Sequence, residues 1–277
     1  MVRIRRVFEF YLNSHIHVAL AVCSLSLITQ LIFELEIDKN LLVFTFFGTI
    51  SGYNFVKYFG LARFHHKRLA PWLRHIQIFA LLCFICLILV AFRLEFRTLV
   101  YYGMVGIITF FYAIPFLPRH YLIDKAKNLR RISGLKIYVI VMVWTAVGVW
   151  IPYLNSGNQV SFDLIIMTLQ IAIYVFVATL PFEIRDLQFD SIKLATIPQR
   201  IGVQSTKVLG TVLLGAFILI QFLKDDINLT DSLILIVISL ISLVFLWLST
   251  VRQGRYYSAF WVEAIPIFWL FLTIRFS

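Results

Sequence analysis

Three carboxylates in the second half of the chain have the types and spacing of a cation site. Glu183, Asp186 and Asp190 stand at positions i, i+3 and i+7. Because each residue of a helix advances by about 100°, this spacing places all three carboxylates on one face. Carboxylate oxygens bind Mg²⁺, and a bound ion could in turn hold a phosphorylated ligand. From the residue types alone, a helix-end cluster neutralised by cations such as Arg185 and Lys193 is equally open.

The elements that position these acids are predicted to be membrane-spanning helices. Of the 277 residues, 61% are hydrophobic and 14% are charged, which is too apolar for a soluble domain of this size. The apolar residues form runs of roughly 20 residues, the length that crosses a bilayer. We therefore predict an all-α, polytopic membrane protein.

Nine apolar segments are predicted to span the membrane, and Pro152 and Pro181 are predicted to end the fifth and sixth of them. The segments are 15–33, 41–60, 76–92, 98–117, 135–152, 163–181, 206–223, 232–250 and 257–274.

The distribution of basic residues predicts a cytoplasmic N-terminus and a C-terminus on the opposite side of the cell membrane. Basic residues collect on the cytoplasmic side of membrane proteins. In this arrangement only five of the 25 Lys and Arg residues fall on the outer side: Lys39, Arg93, Arg97, Lys224 and Arg275. The net charge of +11 is then explained by a cytoplasmic surface that meets membrane lipids, and no nucleic-acid partner is needed.

Further positions around the acids resemble the UbiA superfamily of membrane-embedded prenyltransferases. The second aspartate motif of that family is D-x-x-D-x-x-x-D, which Glu183, Asp186 and Asp190 match with Glu in the first place. Tyr112 begins a Tyr-x-x-Pro that looks like another family pattern. The family continues after the acids with a basic residue and T-x-P-x-R-x-G, matched here by Lys193, Thr196, Pro198, Arg200 and Gly202.

The resemblance implies a fold, a reaction and a set of site residues. It implies one prenyltransferase-like domain over residues 1–277, with nine helices around a central cavity open to the cytoplasmic side. In the family, Mg²⁺ grips a polyprenyl diphosphate, and the isoprenoid passes to an aromatic or other lipid-soluble acceptor. Glu183, Asp186 and Asp190 would then bind the metal, with Asp186 and Asp190 catalytic. The implied substrate-binding residues are Asn54, Lys57, Tyr112, Arg185, Lys193 and Arg200.

The first acidic motif departs from the family pattern. Where N-D-x-x-D-x-x-x-D is expected, Asn54 is kept, but Phe55, Tyr58 and Ala62 replace the three acids. This loss fits one bound Mg²⁺ rather than two. Lys57 lies within the lost motif, and its ammonium could contact a diphosphate directly. The alternative is a non-catalytic protein or scaffold of the same fold that binds an isoprenoid phosphate.

Other titratable residues lie outside these motifs. Glu263 is an intramembrane carboxylate in the ninth span, and such groups are costly and usually functional or paired. Two roles are open for it: a base in the cavity, or a partner for a cation such as Arg255. His15 and His17 have no partners at ligand-like spacing and are predicted to pack at the interface.

Overall fold

The computed structural model describes residues 2–62, 71–113, 134–188 and 195–276, and within these ranges every regular element is a helix. The first helices are α1 (Val2–Asn13), α2 (Ile16–Ile32), α3 (Lys39–Ala62), α4 (Pro71–Ala91), α5 (Phe96–Ala113) and α6 (Leu135–Thr145). The later helices are α7 (Ile151–Asn155), α8 (Phe162–Asp186), α9 (Ile197–Ile201), α10 (Val203–Leu219), α11 (Leu229–Leu248) and α12 (Ile265–Phe276).

Short irregular turns extend three of these helices. A π turn (Ala146–Trp150) joins α6 to α7, a second π turn (Tyr257–Val262) precedes α12, and a 3₁₀ turn (Ile220–Leu223) follows α10. Wide turns of this kind accommodate residues that do not fit a regular helix.

Pro152 and Pro181 do not end their helices, so the prediction from the sequence was wrong for both. Pro152 lies in the first turn of α7, where its missing N–H is tolerated, directly after the first π turn. Pro181 lies inside α8, which continues for another turn to Asp186. The carbonyl of Pro181 accepts a hydrogen bond from Gln253 at 2.9 Å. As a consequence, two of the three motif acids belong to the last turn of a single long helix.

Seven helical segments of the described ranges are long and apolar enough to cross a membrane, and α1 with α2, bent by 54°, makes an eighth. The described residues of each of the nine predicted segments lie mainly on helices, but the nine-span count is not confirmed. The predicted second span lies on α3, which is 24 residues long. Asn54 and Lys57 make its second half more polar than the other spans.

Helix contacts close a ring in the order α2, α3, α5, α6, α8, α10, α11 and α12, with α12 returning to α2. The main apolar core lies between α2, α8, α11, α12 and the first π turn. At Gly148 a Cβ would come within 3.1 Å of the Leu25 Cβ, so glycine lets α2 approach the π turn closely. Thr29 Oγ1 donates a hydrogen bond to the Gly148 carbonyl across this contact at 2.7 Å. The ring thereby fixes the ends of α3 and α8 relative to each other.

Candidate functional site

One end of the bundle contains a cavity of about 280 Å³. Its walls come from α1, the start of α2, the second half of α3, the end of α8 and the region around the second π turn. A volume just below that of drug-sized pockets suits a polar head group more than a whole isoprenoid chain. The charged and polar lining residues are Glu9, Asn13, His15, Lys57, Arg185, Arg255, Tyr256 and Glu263.

The charges of this cavity fall into an outer and an inner group. At the rim, Glu9 Oε1 lies 3.2 Å from Arg5 Nε and 3.5 Å from Arg255 Nη1. The Arg255 side chain is 61% exposed, which marks the open side of the cavity. The inner group is Glu263 with Arg185 and Lys57, which are close enough to interact electrostatically with it.

The last turn of α8 points its charges in two directions. Arg185 lines the cavity, where its guanidinium lies 5.3 Å from the ring centre of Phe182. Glu183 and Asp186 share the opposite face with Lys136 of α6, whose Nζ is 3.5 Å from Glu183 Oε1 and 3.5 Å from Asp186 Oδ2. Arg185 Nη2 also reaches back to Asp186 Oδ1 at 2.7 Å. The two acids therefore share a face, but that face is directed to α6.

Glu183 and Asp186 together form a cation site, and the cation in it is the ammonium group of Lys136. Glu183 is almost fully buried, and Lys136 balances it and Asp186 at the same time. Asp190 and Lys193 lie outside the described residues. Within the described ranges, no group of three or more His, Cys, Asp or Glu side chains could hold a metal ion. The magnesium site stays a prediction that requires Asp190 and the departure of Lys136.

In the segment that resembles the family's first motif, the described side chains are those of residues 54 to 57. Phe55 stacks on Phe110 of α5 with ring centres 5.9 Å apart, an apolar contact where the family has a carboxylate. Asn54 is buried and donates to the carbonyl of Ser14 at 3.1 Å, so it holds the turn between α1 and α2. Lys57 lines the cavity. At the one acid position of the pattern whose side chain is described, Phe55 makes an aromatic contact, and Lys57, two residues on, brings a cation to the cavity.

The remaining residues of the predicted motifs lie around the cavity or outside the described structure. Tyr112 is buried in the last turn of α5, close enough to Tyr53 to interact with it electrostatically. The Tyr53 hydroxyl accepts a hydrogen bond from Trp144 Nε1 at 2.7 Å. The side chains of Tyr58 and Ala62 are outside the description, as is Pro115.

The T-x-P-x-R-x-G segment forms α9 and its two ends. The backbone N–H of Thr196, the N-cap residue, donates to Gln199 Oε1 at 3.0 Å. Pro198 occupies the first turn, where a missing N–H is harmless, and Gly202 ends the helix with φ 82°. Thr, Pro and Gly thus have local roles in the fold. Arg200 is exposed on this short helix and carries the charge of the motif.

His15 is a cavity residue that the sequence did not identify. It adopts a left-handed conformation with φ 64° between α1 and α2, which is uncommon for a residue other than glycine and is often found at functional sites. Its Nε2 is buried and finds no hydrogen-bond partner among the described residues. His17, in contrast, packs as predicted, with its Nε2 2.9 Å from the Phe260 carbonyl and its Nδ1 2.7 Å from the Tyr11 hydroxyl. The cavity position of His15 differs from the predicted interfacial packing, because it depends on a left-handed backbone that only the tertiary structure defines.

The fold and the cavity together define a class: an all-helical, polytopic membrane protein with a charged cavity at one end of its helix bundle. Among solved structures, the chain is similar to one described in a study of the biosynthesis of digeranylgeranylglyceryl phosphate synthase in membranes. The TM-score is 0.57, the identity is 12%, and the match covers 100% of this chain and 99% of the other. At this identity the likeness shows the fold alone. The sequence matches no protein-family model and no curated protein.

Proposed function

We propose that the protein transfers an isoprenoid chain from a polyprenyl diphosphate to an aromatic or other lipid-soluble acceptor in the cell membrane. The observation that carries this proposal is the fold, which this chain shares over its whole length with a membrane prenyltransferase. The cavity supports it, because Lys57 and Arg185 bring two cations suited to phosphate to the ends of α3 and α8. These are the helix ends on which the two motifs lie.

In the proposed reaction, the bond between the isoprenoid carbon and the diphosphate oxygen breaks. Both bonding electrons leave with the diphosphate, and an allylic cation remains. The acceptor attacks this cation and loses a proton to the surroundings. Lys57 and Arg185 would stabilise the charge that develops on the leaving diphosphate. Asn54 and Tyr112 would support this site from the second half of α3 and the end of α5, and Lys193 and Arg200 from the segment after α8.

We propose one Mg²⁺ as a cofactor, held by Glu183, Asp186 and Asp190. A bound ion would supply positive charge that assists ionisation of the diphosphate, and this face of α8 would have to turn from α6 toward the cavity to bring the ion there. Asp186 and Asp190 keep their proposed catalytic role through this ion. Two described carboxylates already converge on one cation, which supports a shared site, but Lys136 must leave for the ion to enter.

The proposal is tested by measuring diphosphate release. The purified protein in nanodiscs of neutral lipid is incubated with labelled farnesyl or geranylgeranyl diphosphate and a total membrane lipid extract as the source of acceptor. We expect Mg²⁺-dependent release of diphosphate, reduced at least about 100-fold in Asp186→Ala. Asp226→Ala is the matched control, since this acid lies in the loop at the other end of the bundle and should leave the rate unchanged.

Two negative outcomes have different meanings. Binding of the labelled diphosphate without release would contradict transfer and favour the non-catalytic isoprenoid-phosphate binder. The absence of both binding and release would contradict the substrate class itself.

A further inference from the structure

We infer that Glu263 is a built-in counter-ion of the cavity, which an incoming diphosphate group must displace from Lys57 and Arg185. The inference rests on the proposed function and adds a residue that limits ligand affinity at the same site. The sequence left two roles open for Glu263, a base or a partner of Arg255. In the structure its carboxylate lines the same cavity as Lys57 and Arg185 and lies close enough to both cations to interact electrostatically with them.

The backbone places the Glu263 carboxylate in the cavity by means of the second π turn. The N–H of Glu263 donates to the Ser258 carbonyl, five residues earlier, at 3.2 Å. A π turn holds one residue more than an α turn, so it changes the direction of every side chain that follows it. His17 Nε2 lies 2.9 Å from the carbonyl of Phe260 in the same turn and fixes it to α2. The position of Glu263 is therefore set by packing on two sides.

The groups that face Glu263 come from three other elements. Lys57 and Tyr53 belong to α3, Arg185 belongs to α8, and Tyr11 belongs to α1; all four are close enough to interact electrostatically. The two tyrosines carry no charge near neutral pH. The counter-charge for an ionised Glu263 is thus supplied by Lys57 and by Arg185, whose guanidinium is shared with Asp186. An ionised carboxylate inside an apolar bundle requires such partners.

The second acid of the cavity is in a different position. Glu9 lies at the rim, where Arg5, Arg255 and the Tyr256 hydroxyl all contact its Oε1. Its charge is balanced at the rim by Arg5 and Arg255. Glu9 and Glu263 therefore form a matched pair: removal of either takes one negative charge from the cavity wall, but only Glu263 competes for the inner cations.

A diphosphate that binds to Lys57 and Arg185 meets Glu263 as a like charge in the same cavity. Repulsion over a few ångströms in a partly desolvated site corresponds to about tenfold in affinity or more. Glu263→Gln keeps the size of the side chain and removes the charge. This substitution should tighten the binding of an anion, whereas removal of a base or a metal ligand would leave the affinity unchanged or weaken it.

The test measures dissociation constants of inorganic diphosphate and of farnesyl diphosphate for the full-length protein in phosphatidylcholine nanodiscs with EDTA. Neutral lipid is used because anionic head groups would compete for the same cations. We expect about tenfold tighter binding in Glu263→Gln, a change of less than about twofold in Glu9→Gln, and at least about tenfold weaker binding in Lys57→Ala. Glu263→Ala is the second variant should the glutamine protein fail to fold.

Each result decides the question. An unchanged or weaker affinity in the Glu263 variants, with binding by the wild-type protein, would overturn the counter-ion and leave the proposed function intact. Equally tighter binding in Glu9→Gln would also overturn it, because the loss of any negative charge from the cavity wall would then have the same effect. If neither the wild-type protein nor Glu263→Gln binds either probe in EDTA, the inference fails, whereas the proposed function is decided separately by the diphosphate-release assay with Mg²⁺.

Discussion

At the scale of single residues, the site depends on which neighbour neutralises each charge. Glu183 and Asp186 meet one lysine on α6, while Arg185, which lies between them in sequence, faces the cavity. Asp186 is bound by both Lys136 and Arg185, so Arg185 lines the cavity and also neutralises an acid of its own helix turn. Lys136 becomes the residue that decides whether the acids are available to a metal.

Lys136→Ala tests this competition. Loss of the ammonium leaves two carboxylates without their shared partner, and Glu183 is 4% exposed. We expect a stability loss of about 1–3 kcal/mol, seen as a lower unfolding temperature in detergent. Added Mg²⁺ should restore part of this stability, because the ion could take the position of the ammonium.

Lys39→Ala is the control for the lysine substitution, since this exposed residue lies at the other end of the bundle. It should change neither the unfolding temperature nor the response to Mg²⁺. If Mg²⁺ failed to stabilise Lys136→Ala, Glu183 and Asp186 would not form a divalent site, and the proposed cofactor would lose its basis.

At the scale of helices, close approach depends on small residues at particular positions. α10 packs between α8 and α11, and Gly210 lies at that contact. A Cβ at this position would come within 2.4 Å of Leu246 Cδ2 and 3.0 Å of Leu180 Cδ1. Both leucines are fully buried and have little room to move. The end of α8, and with it Arg185, is thus held in place by a tight helix contact.

Gly210→Ala should destabilise the protein by about 1–3 kcal/mol through overpacking. Gly215→Ala, on the same helix, is the matched control, because a Cβ there meets nothing within 4 Å and alanine favours a helix by about 0.5–1 kcal/mol. Unfolding temperatures of the two variants give the comparison. A Gly210→Ala protein as stable as Gly215→Ala would show that α10 can shift away from α8 at little cost.

At the scale of helices, part of the family resemblance also reflects local folding. The short helix α9 has Thr196 as its N-cap, Pro198 in its first turn and Gly202 at its end. Any chain with a helix of this kind at this place would select similar residues. The acids and Arg200 are therefore the positions of this motif that bear on function, and a match at the other three says more about the turn after α8.

At the scale of the whole molecule, the sequence predicted the helices better than their rotation. The described part of each predicted span is mainly helical, since apolar runs of this length have few alternatives in a bilayer. The common face of Glu183 and Asp186 also followed from their spacing. Which side of the bundle this face meets depends on the rotation of α8, which distant contacts such as that with Lys136 determine. The cavity role of His15 likewise depends on a turn that only the tertiary structure defines.

The number of crossings depends on α3. Its 24 residues extend over about 36 Å, more than the hydrocarbon thickness of about 30 Å. The helix packs against α2, α4 and α5, and its Lys57 lines the cavity, so this charge does not face lipid. We therefore expect α3 to cross the membrane, which gives nine crossings and places the two termini on opposite sides.

Reporter fusions in a bacterial host test this topology. Alkaline phosphatase, which is active outside the cytoplasm, is fused after Ser277 in one protein and after Gly254 in the other. We expect activity for the first and none for the second, with the reverse pattern for green fluorescent protein. With a cytoplasmic N-terminus and eight crossings, both positions would exchange sides together, because every segment after α3 would be inverted. That result would remove α3 from the membrane, and Lys57 could then no longer meet Arg185 at the cytoplasmic end of α8 as the proposed diphosphate site requires.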